Sequence, residues 1–169
     1  MPLLSRFTAQ LIADHSNVPG TPDLAVISAM AFPLRFNRDV SLADGTGAGN
    51  ADRLFSDRRS TSGNDDLDLA GVLTDAFGVT LTFARIKAIM IAADPANPGN
   101  ITVGAGTNPL INILNAAGTL TIPAGGFNLW SCGATALGAT VTAGTGDILR
   151  VNGSGGSCTY DIAIVGASA

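Results

Sequence analysis

From Leu67 to the C-terminus the chain is a succession of short apolar runs, each cut off by glycine, proline or asparagine. After the opening Leu67-Asp68-Leu69-Ala70 come Val79 to Ile91, Ile101 to Val103, Ile111 to Leu114, Thr119 to Ile122, Phe127 to Cys132, Thr140 to Thr142, Asp147 to Val151 and Thr159 to Val165. Spacing of roughly 8–12 residues between strands is the rhythm of a β-sandwich or barrel. The turns agree: Pro123-Ala124-Gly125-Gly126 and Gly153-Ser154-Gly155-Gly156 supply the positive φ that hairpins need. No helix of ordinary length is expected after residue 70.

The alternation also sorts faces. In Val79 to Ile91, residues Val79, Leu81, Phe83, Arg85, Lys87 and Ile89 share one side, and Ala84, Ile86, Ala88 and Met90 the other. The two sides exchange roles near Ala84, which predicts a bulge or a change of sheet. The closing run sets Tyr160, Ile162 and Ile164 against Asp161, Ala163 and Val165, the pattern of a central strand.

Composition points the same way. There is no Glu, one Lys (Lys87), one Gln (Gln10), one His (His15), eight Arg and thirteen Asp. Glu, Lys and Gln ordinarily cover exposed helix faces, whereas Asp, Gly, Asn, Thr and Ser suit turns and strand edges. A chain of 169 residues fits one domain and can bury roughly 70% of its unfolded surface without metal or disulfide staples.

Three zones follow. Residues 1–40 read as an N-terminal arm: Arg6 to Ala13 is a strand (Phe7, Ala9 and Leu11 on one face) or a short helix, and Asn17-Val18-Pro19-Gly20-Thr21-Pro22 is a turn. Leu24 to Phe32 is equally open between strand and helix, and Pro33 stops either. Residues 41–66 read as a polar linker holding one strand, Ala51 to Ser60, with Leu54 and Ser56 inward. Residues 67–169 are the β-sandwich domain.

Charge is uneven. Residues 95–169 carry only Arg150, Asp147 and Asp161. Such a stretch is poorly equipped to stay monomeric in water, so neighbours are expected to cover much of it, the alternative being a coat of Thr, Ser, Asn and backbone. A net charge of −4 without a basic cluster speaks against nucleic acid. No apolar run approaches the ~20 residues that span a bilayer, and Met1-Pro2-Leu3-Leu4-Ser5-Arg6-Phe7 lacks the layout of a secretory signal, so the chain reads as soluble. Cys132 and Cys158 are expected buried and free.

Candidate chemistry is thin. Asp65, Asp66 and Asp68 could ligate calcium but lack the rest of an EF-hand loop. Gly45, Gly47 and Gly49 lack the strand, helix and Lys-Ser/Thr of a phosphate loop. Asp14-His15-Ser16 are sequence neighbours, which seldom make a triad, and a cupin-type metal site needs more His and a Glu. No Asp pair is singled out for glycoside hydrolysis. The sequons at Asn100 and Asn152 have no secretory context. Trp130, in an apolar run, reads as a core or interface anchor rather than a sugar platform. No enzyme, cofactor or metal site is expected.

The segment Asp66-Leu67-Asp68-Leu69-Ala70-Gly71 through Leu81-Thr82-Phe83-Ala84-Arg85-Ile86-Lys87-Ala88-Ile89, with the closing Val141 to Val151 and Tyr160 to Gly166, resembles small virion proteins of tailed bacteriophages encoded among head and tail genes. The likeness covers roughly residues 50–169 and lies in strands and turns rather than a catalytic motif. It implies an all-β, jelly-roll-like antiparallel β-sandwich, assembled in the bacterial cytoplasm into the virion; the extended N-terminal arm, residues 1–40, falls outside the likeness and rests on the zoning of the sequence. Such proteins decorate or cement capsids, often as homotrimers, against the major capsid protein or other virion proteins. Subunit contacts are expected at Phe127, Leu129 and Trp130, with Phe32 and Phe36 docking the arm. The alternative is a head-fibre, spike or tail-tip module that binds host-surface glycan.

Overall fold

The computed structural model describes residues 2–16 and 31–169. Among them are eleven strands and no helix: β1 Ser5–Ser16, β2 Ala31–Leu42, β3 Arg53–Thr61, β4 Asn64–Asp68, β5 Arg85–Ala93, β6 Ile101–Gly104, β7 Thr119–Ile122, β8 Phe127–Ser131, β9 Ala139–Thr140, β10 Ile148–Gly153 and β11 Cys158–Ala167. They form two compact units, Arg6–Val40 and the remainder.

The smaller unit is a two-stranded sheet of β1 and β2. Arg6 to Ala13 is therefore strand, not helix. Phe7 and Ala9 are half-buried while Arg6, Thr8 and Gln10 face out, and Leu11 is exposed. Asp39 accepts hydrogen bonds from Arg6 Nε (2.7 Å) and Thr8 Oγ1 (3.1 Å) across the ribbon. The turn expected at residues 17–22 and residues 24–30 of the run expected from Leu24 to Phe32 lie outside the described residues. Ala31 and Phe32 open β2, which continues through Pro33, so the stop expected at that proline does not occur; a two-stranded ribbon has only edge strands, where a missing N–H is tolerated.

The larger unit is one antiparallel ribbon rolled on itself. β3 pairs with β11, β4 with β10, β5 with β8, and β6 with β7 at the tip. Rolling interleaves the arms into two sheets, ordered β3-β11-β5-β8 and β4-β10-β6-β7, with β9 added beside the start of β5. That order is the jelly roll, an antiparallel β-sandwich. The connections 62–63, 94–100, 123–126 and 154–157 are short and gather at one end, where Ser154 N donates to Asn100 O. The long ones, 69–84, 105–118 and 132–147, meet at the other, where Leu69 N donates to Asp147 O and Asp147 N to Asn108 O.

Register decides the core, because paired residues share a side of the sheet. Phe55, Ile164, Ile89 and Trp130 form one inward row, and Ile162, Ile91 and Asn128 the next. Leu67, Leu149, Val151, Val103, Ile101 and Ile122 join them in the core from the other sheet.

Two local devices hold this arrangement. Where β3 and β4 end their respective sheets, Asp65 accepts two hydrogen bonds from Arg59 (Nε 2.7 Å, Nη2 2.9 Å) and a third from Tyr160 Oη (2.7 Å). Arg59 and Tyr160 belong to one sheet and Asp65 to the other, so the pair fastens the sheets together. Burial and the adjacent Asp65 carboxylate hold the Tyr160 phenol far above its ordinary value, so it stays protonated and donates.

The second device is a bulge in β5. Val165 of β11 faces Ala88 while Gly166 faces Ile86, leaving Lys87 as the extra residue. Ile86 and Ile89 both reach the core as a result. The exchange of faces foreseen near Ala84 occurs at Lys87, and the strand starts at Arg85 rather than Val79. Opposite the bulge a Cβ on Gly166 would lie 2.4 Å from Arg85 O and 2.5 Å from Phe83 Cδ1, so no other residue fits there. Lys87 itself is fully buried, its Nζ donating to Gly47 O (2.9 Å) and Ala136 O (3.2 Å). Burial lowers its pKa.

Three expectations are corrected. The stretch 41–66 is no linker: it supplies β3 and most of β4, both integral to the roll. Within β3 it is Phe55 that points inward, paired with Ile164, while Leu54 and Ser56 face out; a one-residue offset reverses every side chain. Ile111 to Leu114 is not a strand but part of the 105–118 connection.

The Asp65 fastening predicts a specific acid response. Arg59 holds the Asp65 carboxyl below its ordinary value of 3.8, so as pH falls the unfolded chain takes up this proton first. The contribution of Asp65 to stability should be complete above about pH 5 and drain away as pH drops through the folded-state value. Urea unfolding of Asp65→Asn against the parent chain should show a stability gap at pH 7 that narrows by pH 3. A gap independent of pH would contradict it.

Candidate interface on an outer sheet face

The same register sorts what the sandwich shows to its surroundings. On the outer side of β3-β11-β5-β8 the rows run Leu54, Val165, Ala88, Ser131; then Ser56, Ala163, Met90, Leu129; then Arg58, Asp161, Ala92, Phe127. In the first row Val165 and Ala88 are buried. In the other two, the β5 and β8 positions are all apolar. Phe127 is 70% exposed and Met90 47%, with Leu129, Ala92 and Ala163 half-buried beside them. The charges on this face lie at its margins: on the β3 side Arg58 donates to Asp161 (3.0 and 3.2 Å) and to Asp94, and at the start of β5 Arg85 donates to Thr140 of β9 (3.3 Å).

The outer side of β4-β10-β6-β7 is built differently. One row is Asn64, Asn152, Thr102 and Thr121, with Asn152 Nδ2 donating to Asn64 Oδ1 (2.5 Å). Beside it Arg150 grips Asp66 through two bonds of 2.6 and 2.7 Å, which hold the Asp66 carboxyl below its usual range. Amides, hydroxyls and one forked ion pair wet this face. The first face has no such coat over β5 and β8, and an apolar sheet face rimmed by polar residues is the surface a soluble protein uses for contact.

The expected contact residues separate on this frame. Phe127 and Leu129 lie together on the apolar face. Trp130 points the other way, packing against the core from the inward row. Phe36, on β2, is 45% exposed with the Arg38 guanidinium 4.6 Å from its ring centre. The side chain of Phe32 lies outside the described residues. Met90, Ala92 and Ala163 complete the face and went unmarked in the sequence, because only the pairing of β5 with β8 and β11 brings them beside Phe127.

Elsewhere most of the chemistry-bearing residues described are occupied, although the buried Asp147, whose Oδ2 accepts from Gly144 N (2.6 Å), leaves its Oδ1 without a partner among the described residues. Asp65 and Asp66 hold Arg59 and Arg150, and Asp68 Oδ1 accepts from Ala70 N (2.8 Å). The glycine-rich turn at 45–49 is closed by Ala43 N to Gly49 O and Ala51 N to Ala43 O, and its Gly47 carbonyl receives Lys87. Among the described residues no three His, Cys, Asp or Glu side chains converge as a metal centre requires. The side chain of His15 lies outside the described residues. Both cysteines are free, Cys158 buried and Cys132 half-buried, and burial raises the Cys132 thiol pKa. No protein-family model matches the chain, and no curated protein matches it significantly.

The facing assignment can be read directly from stability. Met90→Thr, on the open face, should change the unfolding free energy of the isolated chain by within about 0.5 kcal/mol. Ile91→Thr, one residue on and inward, should cost about 2–4 kcal/mol through lost burial and an unpaired hydroxyl. Urea titrations at one low protein concentration compare the two. Equal costs would mean that the register is wrong.

Proposed function

We propose that the protein is a virion structural subunit that decorates or cements a tailed-phage capsid by packing against copies of itself and neighbouring shell proteins. The observation that carries this reading is the uncharged strip of Met90, Leu129, Ala92 and Phe127 on the outside of the sandwich. An apolar strip gains by burial, on the order of 25 cal/mol for each Å² removed from water, and a symmetric shell multiplies such modest contacts. Two further points support it. The jelly roll is an architecture of viral capsid domains, though also of lectins and cupins. The resemblance to phage virion proteins covers the segments that build the sandwich.

The two-stranded unit of β1 and β2 fits the same role. A lone two-stranded ribbon is marginal in water, and this one exposes Leu11, Ile12 and Phe36. Docking on a neighbouring subunit would bury those side chains. The subunit would then act mechanically, its buried boundaries resisting outward pressure on the shell, as a homotrimer located in the virion.

Light scattering of the purified chain during size-exclusion chromatography tests the assembly step. A trimer is expected at micromolar concentration, falling to monomer in the double variant Met90→Lys, Phe127→Asp, and losing attachment to phage shells on removal of residues 1–40. A well-behaved monomer across the accessible concentration range would defeat the proposal.

A further inference from the structure

The sandwich is not filled throughout. Between the sheets, on the side away from β3 and β4, lies a cavity of about 250 Å³. Its inner wall is buried and apolar, from Ile91, Val103 and Leu149, and the 105–118 connection roofs it. Its outer wall is half-exposed: Leu120 on β7 and Trp130 and Asn128 on β8, so it reaches solvent between the terminal strands of the two sheets.

Three properties make this more than a packing fault. The roof is pinned and cannot fall inward: Leu110 N donates to Ile148 O (2.9 Å), and Asn108 O receives both Asp147 N (3.2 Å) and Ile148 N (3.0 Å). Ala105 and Asn108 hold that loop at φ of 43° and 52°, a conformation that costs a non-glycine residue energy, Ala105 above all. No charged side chain lines the space. Asn128 faces it from the inward row of β8, and its carboxamide makes no hydrogen bond among the described residues. The other carboxamide in the lining, the exposed Asn115, accepts from Ala117 N through its Oδ1 (3.2 Å), so Asn128 is the one with neither atom bonded among the described residues. An apolar chamber with such a group at its mouth has the make-up of a small-molecule site.

We infer that this cavity binds a small, uncharged, mostly apolar molecule with a single hydrogen-bonding head set against Asn128. A dry apolar cavity of about 150 Å³ holds benzene, so the occupant here has on the order of ten non-hydrogen atoms, an eight-carbon alcohol or a substituted aromatic ring. A carboxylate is disfavoured, because no cation in the lining would offset its loss of water. The site lies on the inward faces and is separate from the apolar outer face, so it stands or falls independently of the assembly reading.

Trp130 is the chain's one tryptophan and forms part of the wall, so its emission reports occupancy. Titration with 1-octanol should change Trp130 fluorescence saturably, with octanoate at pH 8 at least tenfold weaker. Asn128→Leu should weaken octanol at least fivefold while leaving toluene unchanged, separating the head contact from the chamber. Ile113→Phe and Leu120→Phe, two independent ways of filling the space, should each abolish both responses, with thermal unfolding confirming the fold. Phe127→Ser, on the opposite side of the sheet, should leave them intact. The inference is overturned by no saturable change up to the solubility of octanol, by equal binding of octanoate, by a response that survives both filling variants, or by one that vanishes with Phe127→Ser.

Discussion

The roll depends on what happens where its ribbon passes from one sheet to the other, and there the decisive contact is Asp65 held by Arg59 and Tyr160. β3 and β4 are separated only by Ser62 and Gly63, so the chain must cross the sandwich edge almost at once. An apolar cluster could cover that edge, but it would not fix how far β4 slides along its partner β10. The forked Arg59–Asp65 pair does so because both its bonds are directional, and Tyr160 adds a third from the middle of the opposite sheet. A half-buried pair of this kind is weak as a net source of stability, since desolvation offsets much of the attraction; loss of one partner would be costly because the other is left uncompensated. Its value lies in register, and every row named above is a consequence of register.

That dependence explains how much was legible in the sequence. Runs, turns and the all-β class follow from local pattern, and the period-2 alternation of Tyr160, Ile162 and Ile164 marked the central strand without knowledge of its partners. Faces are a different matter. Alternation says that Leu54 and Phe55 point apart, not which points in; that is settled by Ile164 and Val165 of β11, a hundred residues away in sequence. The bulge was visible as a change of phase, but its seat at Lys87 is dictated by Gly166 across the ladder, where nothing larger than hydrogen fits. Ile111 to Leu114 has the composition of a strand and no strand to pair with, so it serves the cavity roof instead. The polar spelling of 41–66 suggested a linker because its charges are spent within the fold, on Asp65, Arg59 and Asp57, rather than on water.

The shortage of charge in the second half of the chain is met differently on the two sheets. Over β4, β10, β6 and β7 the outer surface is supplied by Asn64, Asn152, Thr102 and Thr121, whose amides and hydroxyls hydrate well without carrying charge. Over β5 and β8 the outer surface is Met90, Ala92, Leu129 and Phe127, which do not. The expectation of a covered surface therefore narrows from half the chain to one side of one sheet.

The charge imbalance along the sequence becomes an imbalance between the two sides of the sandwich. β3 and β4, the terminal strands on one side, carry Arg53, Asp57, Arg58, Arg59, Asp65, Asp66 and Asp68. Charged terminal strands discourage another chain from adding to the sheet. β7 and β8, the terminal strands on the other side, carry no charge at all, and β8 adds the exposed Phe127 at its start. A neighbour approaching over β3 would have to separate Arg58 from Asp161 and Asp94 before gaining any contact. One approaching over β8 meets apolar side chains and desolvates few polar groups beyond the strand's own backbone, which a neighbouring strand could itself satisfy. If the chain packs into a larger body, the β8 side is where the free energy of packing favours it, and the β3 and β4 side is where water is kept.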